Sequence, residues 1–162
     1  MLTFFLLPWR PSLLTLIAML TALSLVSCTG FRPRHSKELT PFTSDGCSLF
    51  PDGTQKDRNL WCDCCQQHDL AYWQGGSADK RSQADASLRD CMLVRSGDQQ
   101  LATIMYLGVR AGGHPAFPTW YRWGYGWPYG RGYQPLSERE RLQIQVLLAA
   151  YRQAHPEGYC TE

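Results

Sequence analysis

The residues of this chain that are best suited to chemistry lie between positions 62 and 69, in the stretch CDCCQQHD. This stretch contains Cys62, Cys64, Cys65, His68 and Asp69. Thiols and imidazole can bind zinc, thiol pairs can carry redox chemistry or cross-link a fold, and a histidine beside a carboxylate can act as a general base. The rest of the chain has to distinguish a metal site, a redox centre, a catalytic helix held by disulfides and a piece of ordinary core.

Zinc binding and thiol redox chemistry are the less favoured interpretations. Adjacent Cys64 and Cys65 point about 100° apart on an α-helix, so both cannot easily face one ion. Cys62 and Cys65 have CxxC spacing, but no βαβ pattern surrounds them.

The N-terminus predicts export from the cell. Residues 12–26 form an almost unbroken apolar run after Arg10, which is typical of a signal peptide rather than of a membrane span. The run ends in LVSC at residues 25–28, which resembles the lipobox of bacterial lipoproteins, where the cysteine is diacylated and becomes the mature N-terminus. This resemblance implies a signal peptide over residues 1–27 and a lipidated Cys28. An uncleaved anchor and an ordinary secretory signal are the alternatives.

Charge and composition describe the exported part. Removal of residues 1–27 would take away one of 16 basic residues and none of 14 acidic ones, leaving a net charge of +1, which gives no electrostatic case for nucleic acid. Residues 28–40 contain Pro33 and mixed charges without apolar periodicity, so we expect a tether. One domain is expected over residues 41–162. Thr29, in place of the aspartate associated with inner-membrane retention, favours the outer membrane of the envelope.

Apolar periodicity predicts a mainly α-helical fold. A first helix over residues 59–74 carries its larger side chains on one face and ends at the glycines 75 and 76. A second helix runs from an N-cap at Ser77 to Arg95, and the short turn between the two predicts antiparallel packing. The face of the first helix consists of Trp61, Cys65, His68 and Tyr72.

Two further helices are predicted in the C-terminal half. Leu101 to Val109 form a shorter third helix, which the glycines 112 and 113 end. A fourth helix begins at Ser137, which forms a capping box with Glu140.

An aromatic, glycine-rich segment at residues 114–135 separates the last two helices and predicts turns, with at most one short hairpin. Its aromatic side chains suit a roof over the core, sugar stacking or a bilayer interface, and the roof is the simplest of these. Two arginines among them, Arg122 and Arg131, make a poor nucleic-acid platform in an exported protein. The aromatic residues are Trp120, Tyr121, Trp123, Tyr125, Trp127, Tyr129 and Tyr133.

Acid–base chemistry is the favoured interpretation of His68. In an antiparallel pair of helices, Asp85 lies within reach of His68 and can hold the imidazole in the tautomer of a general base. Tyr72, one turn beyond His68, can hydrogen-bond Asp85. Asp69 points off the adjacent edge without a basic partner, so we expect a hard cation such as Ca²⁺ there, with carbonyl ligands from the loop at residues 43–53.

These positions resemble the secreted phospholipase A2 superfamily, whose signature helix reads CCxxHDxCY. Residues 64–72 read CCQQHDLAY and depart from it only at Ala71. The second helix of the family has a cysteine, the orienting aspartate, and a cysteine six residues on, where this chain has Ala84, Asp85 and Cys91. Ala71 and Ala84 fall at the two halves of one family disulfide, so that bridge is absent as a unit. The resemblance covers roughly residues 42–91 and implies a phospholipase A2-like fold.

The resemblance also implies a disulfide framework. With Cys28 lipidated, six cysteines remain, an even number that fits three disulfides. Two pairs follow from the family and the third by elimination: Cys47 with Cys65, Cys64 with Cys91, and Cys62 with Cys160.

The activity that the resemblance implies is calcium-dependent hydrolysis of the sn-2 ester of glycerophospholipids. His68 would deprotonate water, and Asp85 with Tyr72 would orient His68. Ca²⁺ would be held by Asp69 and by loop carbonyls, and a phospholipid or membrane surface would be the partner. The carbonyl donors are expected at Gly46, Ser48 and Phe50.

The calcium loop is where this chain departs most from the family. Phe50 stands in place of a glycine and restricts the backbone, and Asp52 can add a carboxylate that the usual loop lacks. This departure favours the alternative function, a non-catalytic envelope lipoprotein that keeps the fold for binding or for structure.

Overall fold

The structure, a computed structural model, describes residues 38–160. The predicted signal peptide, Cys28 and most of the predicted tether lie outside these residues. Within them the fold is mainly α-helical, as predicted, and no helix there is both long and apolar enough to cross a membrane. The described helices are α1 Cys62–Gln74, α2 Ala78–Ser96, α3 Gln99–Gly112 and α4 Glu138–Ala154.

Helix α1 begins three residues later than predicted. Trp61 is fixed before the helix by two hydrogen bonds, from its backbone N–H to the Asp52 carbonyl (3.0 Å) and from its indole N–H to the Pro51 carbonyl (2.7 Å). Residues 59–61 therefore form a turn that carries the loop into the helix, although Trp61 is buried together with the inner face of α1.

The ends of α2 and α4 follow the predicted caps. The Ser77 hydroxyl accepts a hydrogen bond from the Lys80 N–H (3.3 Å), and Gly97 ends α2 in the left-handed conformation (φ 68°) that glycine adopts without strain. The capping box of Ser137 and Glu140 is present at the start of α4.

Helices α1 and α2 run antiparallel, because residues later in α1 pair with residues earlier in α2. This register sets His68 opposite Asp85 at the middle of both helices. The pairs are Cys64 with Cys91, His68 with Asp85, and Tyr72 with Arg81.

The core has two parts. Helices α2 and α3 bury Leu88, Met92, Ala102 and Met105 against the disulfides of α1. A second cluster surrounds the fully buried Trp73 and holds α4 to α1. It consists of Leu39, Phe42, Trp73, Trp127 and Ile144.

Residues 39 and 40, at the end of the predicted tether, contact the rest of the fold. Leu39 is buried in the second cluster, and the Thr40 N–H donates a hydrogen bond to the Gly126 carbonyl (2.8 Å). A segment of two buried or bonded residues is too short to show apolar periodicity, so the sequence pattern of a tether concealed it.

The aromatic segment closes over the end of α1. The indoles of Trp123 and Trp127, both 2% exposed, donate hydrogen bonds to the carbonyls of Gly76 (3.0 Å) and Gln74 (2.7 Å). These carbonyls lie in the last residue of α1 and in the turn after it, where no further helical N–H groups are available to them. The segment contains no strand, so the single hairpin that we allowed is absent. Trp123 and Trp127 therefore cover the core, as the simplest interpretation expected. Trp120 and Tyr129 are 64% and 61% exposed.

Three disulfides cross-link residues 38–160, and they are the three pairs that the sequence led us to expect. Two of them fasten α1 on different sides, to the loop and to α2, and the third ties the C-terminal residues to the start of α1. The pairs are Cys47–Cys65, Cys64–Cys91 and Cys62–Cys160.

Removal of the Cys62–Cys160 bridge should destabilise the domain while leaving the centre of α1 in place. The bridge closes a loop of 98 residues, so the double variant Cys62→Ala/Cys160→Ala should lose roughly 2–4 kcal/mol of unfolding free energy. Denaturant unfolding of parent and variant measures the change. An unchanged midpoint, or a free Cys160 thiol in unreduced parent protein, would contradict the pairing.

Candidate functional site

His68 and Asp85 form a buried hydrogen-bonded pair between α1 and α2. His68 Nε2 lies 2.9 Å from Asp85 Oδ1, and the same oxygen accepts a hydrogen bond from the Tyr72 hydroxyl at 2.8 Å. Asp85 is fully buried and His68 is 9% exposed. The base, orienter and support expected from the sequence are therefore in contact with one another.

Two arginines that the sequence analysis did not assign to the site surround Asp85. Arg110 Nη1 donates to Asp85 Oδ2 at 2.6 Å, and Arg81 Nε lies 3.8 Å from the same oxygen. Burial by itself would raise the pKa of Asp85, but hydrogen bonds from His68, Arg110 and Tyr72 outweigh it and hold this pKa below its ordinary value. Asp85 is therefore an anion at neutral pH.

Arg81 is almost completely buried and ties the aromatic segment to the site. Its guanidinium donates to the hydroxyls of Tyr72 (3.0 Å) and Tyr133 (2.8 Å), and to the carbonyls of Val109 (2.9 Å) and Arg110 (2.8 Å). A signal for this role was present in the sequence, because Arg81 stands four residues before Asp85 on α2 and so shares its inner face.

Asp69 follows His68 on α1 and faces the loop at residues 43–53. Its Oδ2 accepts a hydrogen bond from the Ser44 hydroxyl (2.7 Å), and no basic group of the described chain forms an ion pair with it. Burial raises the pKa of Asp69 to about 7, an effect that Asp45 and Asp52 increase and that the bond from Ser44 opposes. A buried carboxylate of this kind gains from a cation.

Asp52 has a different role from the one we allowed for it. Instead of facing Asp69, its Oδ1 accepts a hydrogen bond from the Cys47 N–H (2.6 Å). A Cβ at Gly46 would lie 2.3 Å from the same oxygen, so only glycine fits there, at φ 72°. Asp52 therefore fixes the conformation of the loop through the Cys47 N–H. This bond explains why the loop contains a second carboxylate near Asp69.

The expected carbonyl donors accept no hydrogen bond from the described residues. The carbonyls of Cys47, Pro51 and Asp52 accept hydrogen bonds from the protein, whereas among residues 38–160 no donor is bonded to those of Gly46, Ser48 and Phe50. Those three residues line one cavity together with Asp69. One carboxylate and three carbonyls are the kind of hard-oxygen donors that Ca²⁺ prefers.

The nearby cysteines offer no alternative metal site. Asp63, Cys64 and Cys91 are close enough to share an ion, but both sulfurs are used in one disulfide. Zinc and free-thiol redox chemistry are thereby excluded at α1.

A cavity of about 260 Å³ lies between the loop, α1 and α3. His68 and Asp69 form its polar side, and Leu88, Met105 and Val109 are part of its apolar wall. Leu49 and Ile104 also line it, although they are 79% and 60% exposed. The cavity is therefore bordered by apolar side chains that are exposed to solvent.

Comparison of the chain with family models, with curated proteins and with solved structures finds no match. The chemical interpretation therefore rests on the residues and their geometry. A histidine held by a buried carboxylate, next to a cation-type site and an apolar cavity, can activate water against an ester of an apolar acid.

Proposed function

We propose that this protein is a calcium-dependent carboxylic ester hydrolase of the phospholipase A2 type, with that family's fold, which cleaves the sn-2 ester of glycerophospholipids. The observation that carries the proposal is the hydrogen-bonded series Tyr72–Asp85–His68 on the wall of a cavity that also contains Asp69. His68, Tyr72 and Asp69 thus line one cavity, and Asp85 is bonded to both His68 and Tyr72.

His68 is the proposed general base. Because its Nε2–H donates to Asp85, its Nδ1 is the acceptor, and within the described chain Nδ1 has no hydrogen-bond partner. A water molecule would lose a proton to Nδ1 as its oxygen attacks the ester carbonyl. Asp85 would stabilise the imidazolium, which then gives the proton to the leaving alcohol oxygen as the ester bond breaks.

Asp69 and the carbonyls of Gly46, Ser48 and Phe50 would hold the Ca²⁺, which would supply positive charge for the developing oxyanion and for the lipid phosphate. Ca²⁺ binding requires the ionised carboxylate of Asp69. Because the pKa of Asp69 is about 7 without the ion, Ca²⁺ binding should depend on pH. The apolar wall of the cavity would accept the acyl chain.

The surface around the cavity supports action on a lipid surface. Leu49, Ile104 and Leu107 are large apolar side chains that are 79%, 60% and 58% exposed. Leu49 also has a positive φ of 60°, which is an uncommon backbone conformation for a large side chain. Such residues favour contact with lipid, in agreement with the proposed envelope location and the proposed lipidation of Cys28.

The test is release of fatty acid from vesicles whose phospholipids carry different labelled acyl chains at sn-1 and sn-2. With Ca²⁺, the parent protein should release the sn-2 acid, and EGTA should stop the release. Release from sn-1, or release that EGTA leaves unchanged, would refute the proposed reaction.

One observation favours the non-catalytic alternative: the Ser44 hydroxyl already occupies Asp69 Oδ2 at 2.7 Å. A protein of that kind would bind the vesicles with or without Ca²⁺ and release no fatty acid from them.

Arg110 is a positioning residue in this mechanism. It fixes Asp85 Oδ2, which leaves Oδ1 for His68, so Arg110→Gln should lower kcat about tenfold and leave KM unchanged. Arg110→Lys should recover most of the loss. Steady-state kinetics measure both, with Arg89→Gln on the exposed side of α2 as the matched control. An equal rise in KM, with kcat unchanged, would show that Arg110 binds substrate instead.

A further inference from the structure

A second pocket, of about 310 Å³, lies within the aromatic segment and shares no lining residue with the catalytic cavity. Two of its residues, Trp120 and Tyr125, also line a third pocket that contains Asp69, so the aromatic pocket adjoins the candidate site. Its lining residues are Pro118, Thr119, Trp120, Arg122, Tyr125 and Tyr129.

Arg122 is a buried charge without an acidic partner in this pocket. It is 7% exposed, and burial lowers the pKa of its guanidinium. Nη2 donates to the Trp127 carbonyl (2.7 Å), but Nη1 has no partner, and no carboxylate of residues 38–160 forms an ion pair with it. Buried arginines are normally paired, so an anion is the kind of partner that this guanidinium can still accept.

Thr119 supplies a second unpaired group in the same pocket. Its Oγ1 is buried and, like Nη1 of Arg122, has no hydrogen-bond partner in the described chain. Leaving two such groups unpaired destabilises the protein, and a single ligand with several acceptor oxygens would satisfy both.

The Tyr129 ring covers the guanidinium, with its centroid 5.6 Å from the central carbon of Arg122. Tyr129 is 61% exposed and is held by one hydrogen bond, from its hydroxyl to the Ala116 carbonyl (2.6 Å). This exposed ring, held by one hydrogen bond, can therefore move away from Arg122 without a change in the core.

We propose that this pocket binds the phosphate group of a phosphate ester, with Arg122 Nη1 and Thr119 Oγ1 as donors. Trp120 and Tyr125 would pack against the carbon part of the ester. This site goes beyond the proposed hydrolysis and does not depend on it, because neither donor belongs to the catalytic series. The phosphate belongs either to a soluble ester or to a lipid headgroup at the membrane surface.

The test is an NMR titration of the full chain in EGTA, which follows the indole N–H signals with inorganic phosphate and with glycerol 3-phosphate. We expect saturable shifts of the Trp120 signal. Thr119→Val should weaken binding about fivefold and Arg122→Met at least tenfold, whereas Arg122→Lys should keep part of it. The matched control is Thr103→Val, which changes an exposed threonine on α3.

Thr119→Val keeps the shape of the side chain and removes a group that has no partner, so it should leave the melting temperature unchanged or raised. This variant keeps the test valid if Arg122→Met fails to fold. In a second arm, flotation with phosphatidic acid vesicles is compared with phosphatidylcholine vesicles. Phosphatidic acid binding that Thr119→Val weakens, without a soluble response, assigns the lipid headgroup. Binding in neither arm, or binding unaffected by Thr119→Val and Arg122→Lys, overturns the proposal.

Discussion

Replacement of His68 with glutamine is expected to lower ester hydrolysis about 10³-fold without loss of the fold. Glutamine has similar size, and its amide N–H can still donate to Asp85, so the buried carboxylate keeps a partner. The variant has no group that accepts a proton near neutral pH, and general base catalysis contributes about 10²–10⁴-fold. Fatty-acid release from phospholipid vesicles with Ca²⁺ measures the loss.

Two controls separate lost chemistry from lost structure. His155→Gln changes an exposed histidine that stacks on Tyr151 at the end of α4, and it should keep full activity. The melting temperature of His68→Gln should lie close to that of the parent. A folded His68→Gln protein with parental activity would show that His68 is not the base.

The helices and the centre of the site could be predicted because they depend on local spacing. His68 and Tyr72 share a face through the helical repeat, and a short turn sets the register that brings Asp85 opposite them. The cap residues Ser77 and Ser137 act within one turn of their own position. Interactions of this range can be identified in the sequence alone.

Arg81 and Arg110 could not be assigned in the same way. Arginine is rarely buried, so its residue type gave no reason to expect that Arg81 is only 2% exposed. Arg110 reaches Asp85 from α3, and the packing angle of α3 does not follow from its sequence. Four hydrogen bonds offset the cost of burying the Arg81 guanidinium, and their acceptors lie in three separate segments of the chain.

The loop and the aromatic segment were the least predictable parts, because neither has a periodic pattern. Their conformations depend on single contacts, such as Asp52 with the Cys47 N–H, and the indole of Trp127 with the Gln74 carbonyl. Both contacts join residues that no helical or strand spacing relates. Their glycine and proline content predicted irregular structure, but it did not predict which backbone groups elsewhere they would hydrogen-bond.

Replacement of Asp69 with asparagine should have opposite effects on stability and on activity. The pKa of Asp69 is about 7 in the folded protein and 3.8 ordinarily, so folding favours the protonated carboxyl. The contribution of this group to stability is therefore full below about pH 4 and is lost as the pH rises to about 7. Asparagine resembles the protonated form and can still accept the hydrogen bond from Ser44.

In EGTA at pH 8, the free energy of unfolding of Asp69→Asn should consequently be about 2–4 kcal/mol higher than that of the parent. This difference should vanish near pH 4. Ca²⁺ should stabilise the parent and not the variant, since a neutral amide replaces the only carboxylate among the proposed ligands. Fatty-acid release by the variant should fall at least about 10²-fold.

Denaturant unfolding between pH 4 and pH 8, with Ca²⁺ and with EGTA, measures these effects on the parent and on Asp69→Asn. Asp90→Asn, which changes an exposed carboxylate on α2, should follow the parent at every pH. Because Ca²⁺ competes with the proton for Asp69, its stabilising effect on the parent should weaken as the pH falls below about 7. Equal stabilisation of parent and variant by Ca²⁺ would place the ion elsewhere, and His68 would then act without the neighbouring charge on which the proposed mechanism depends.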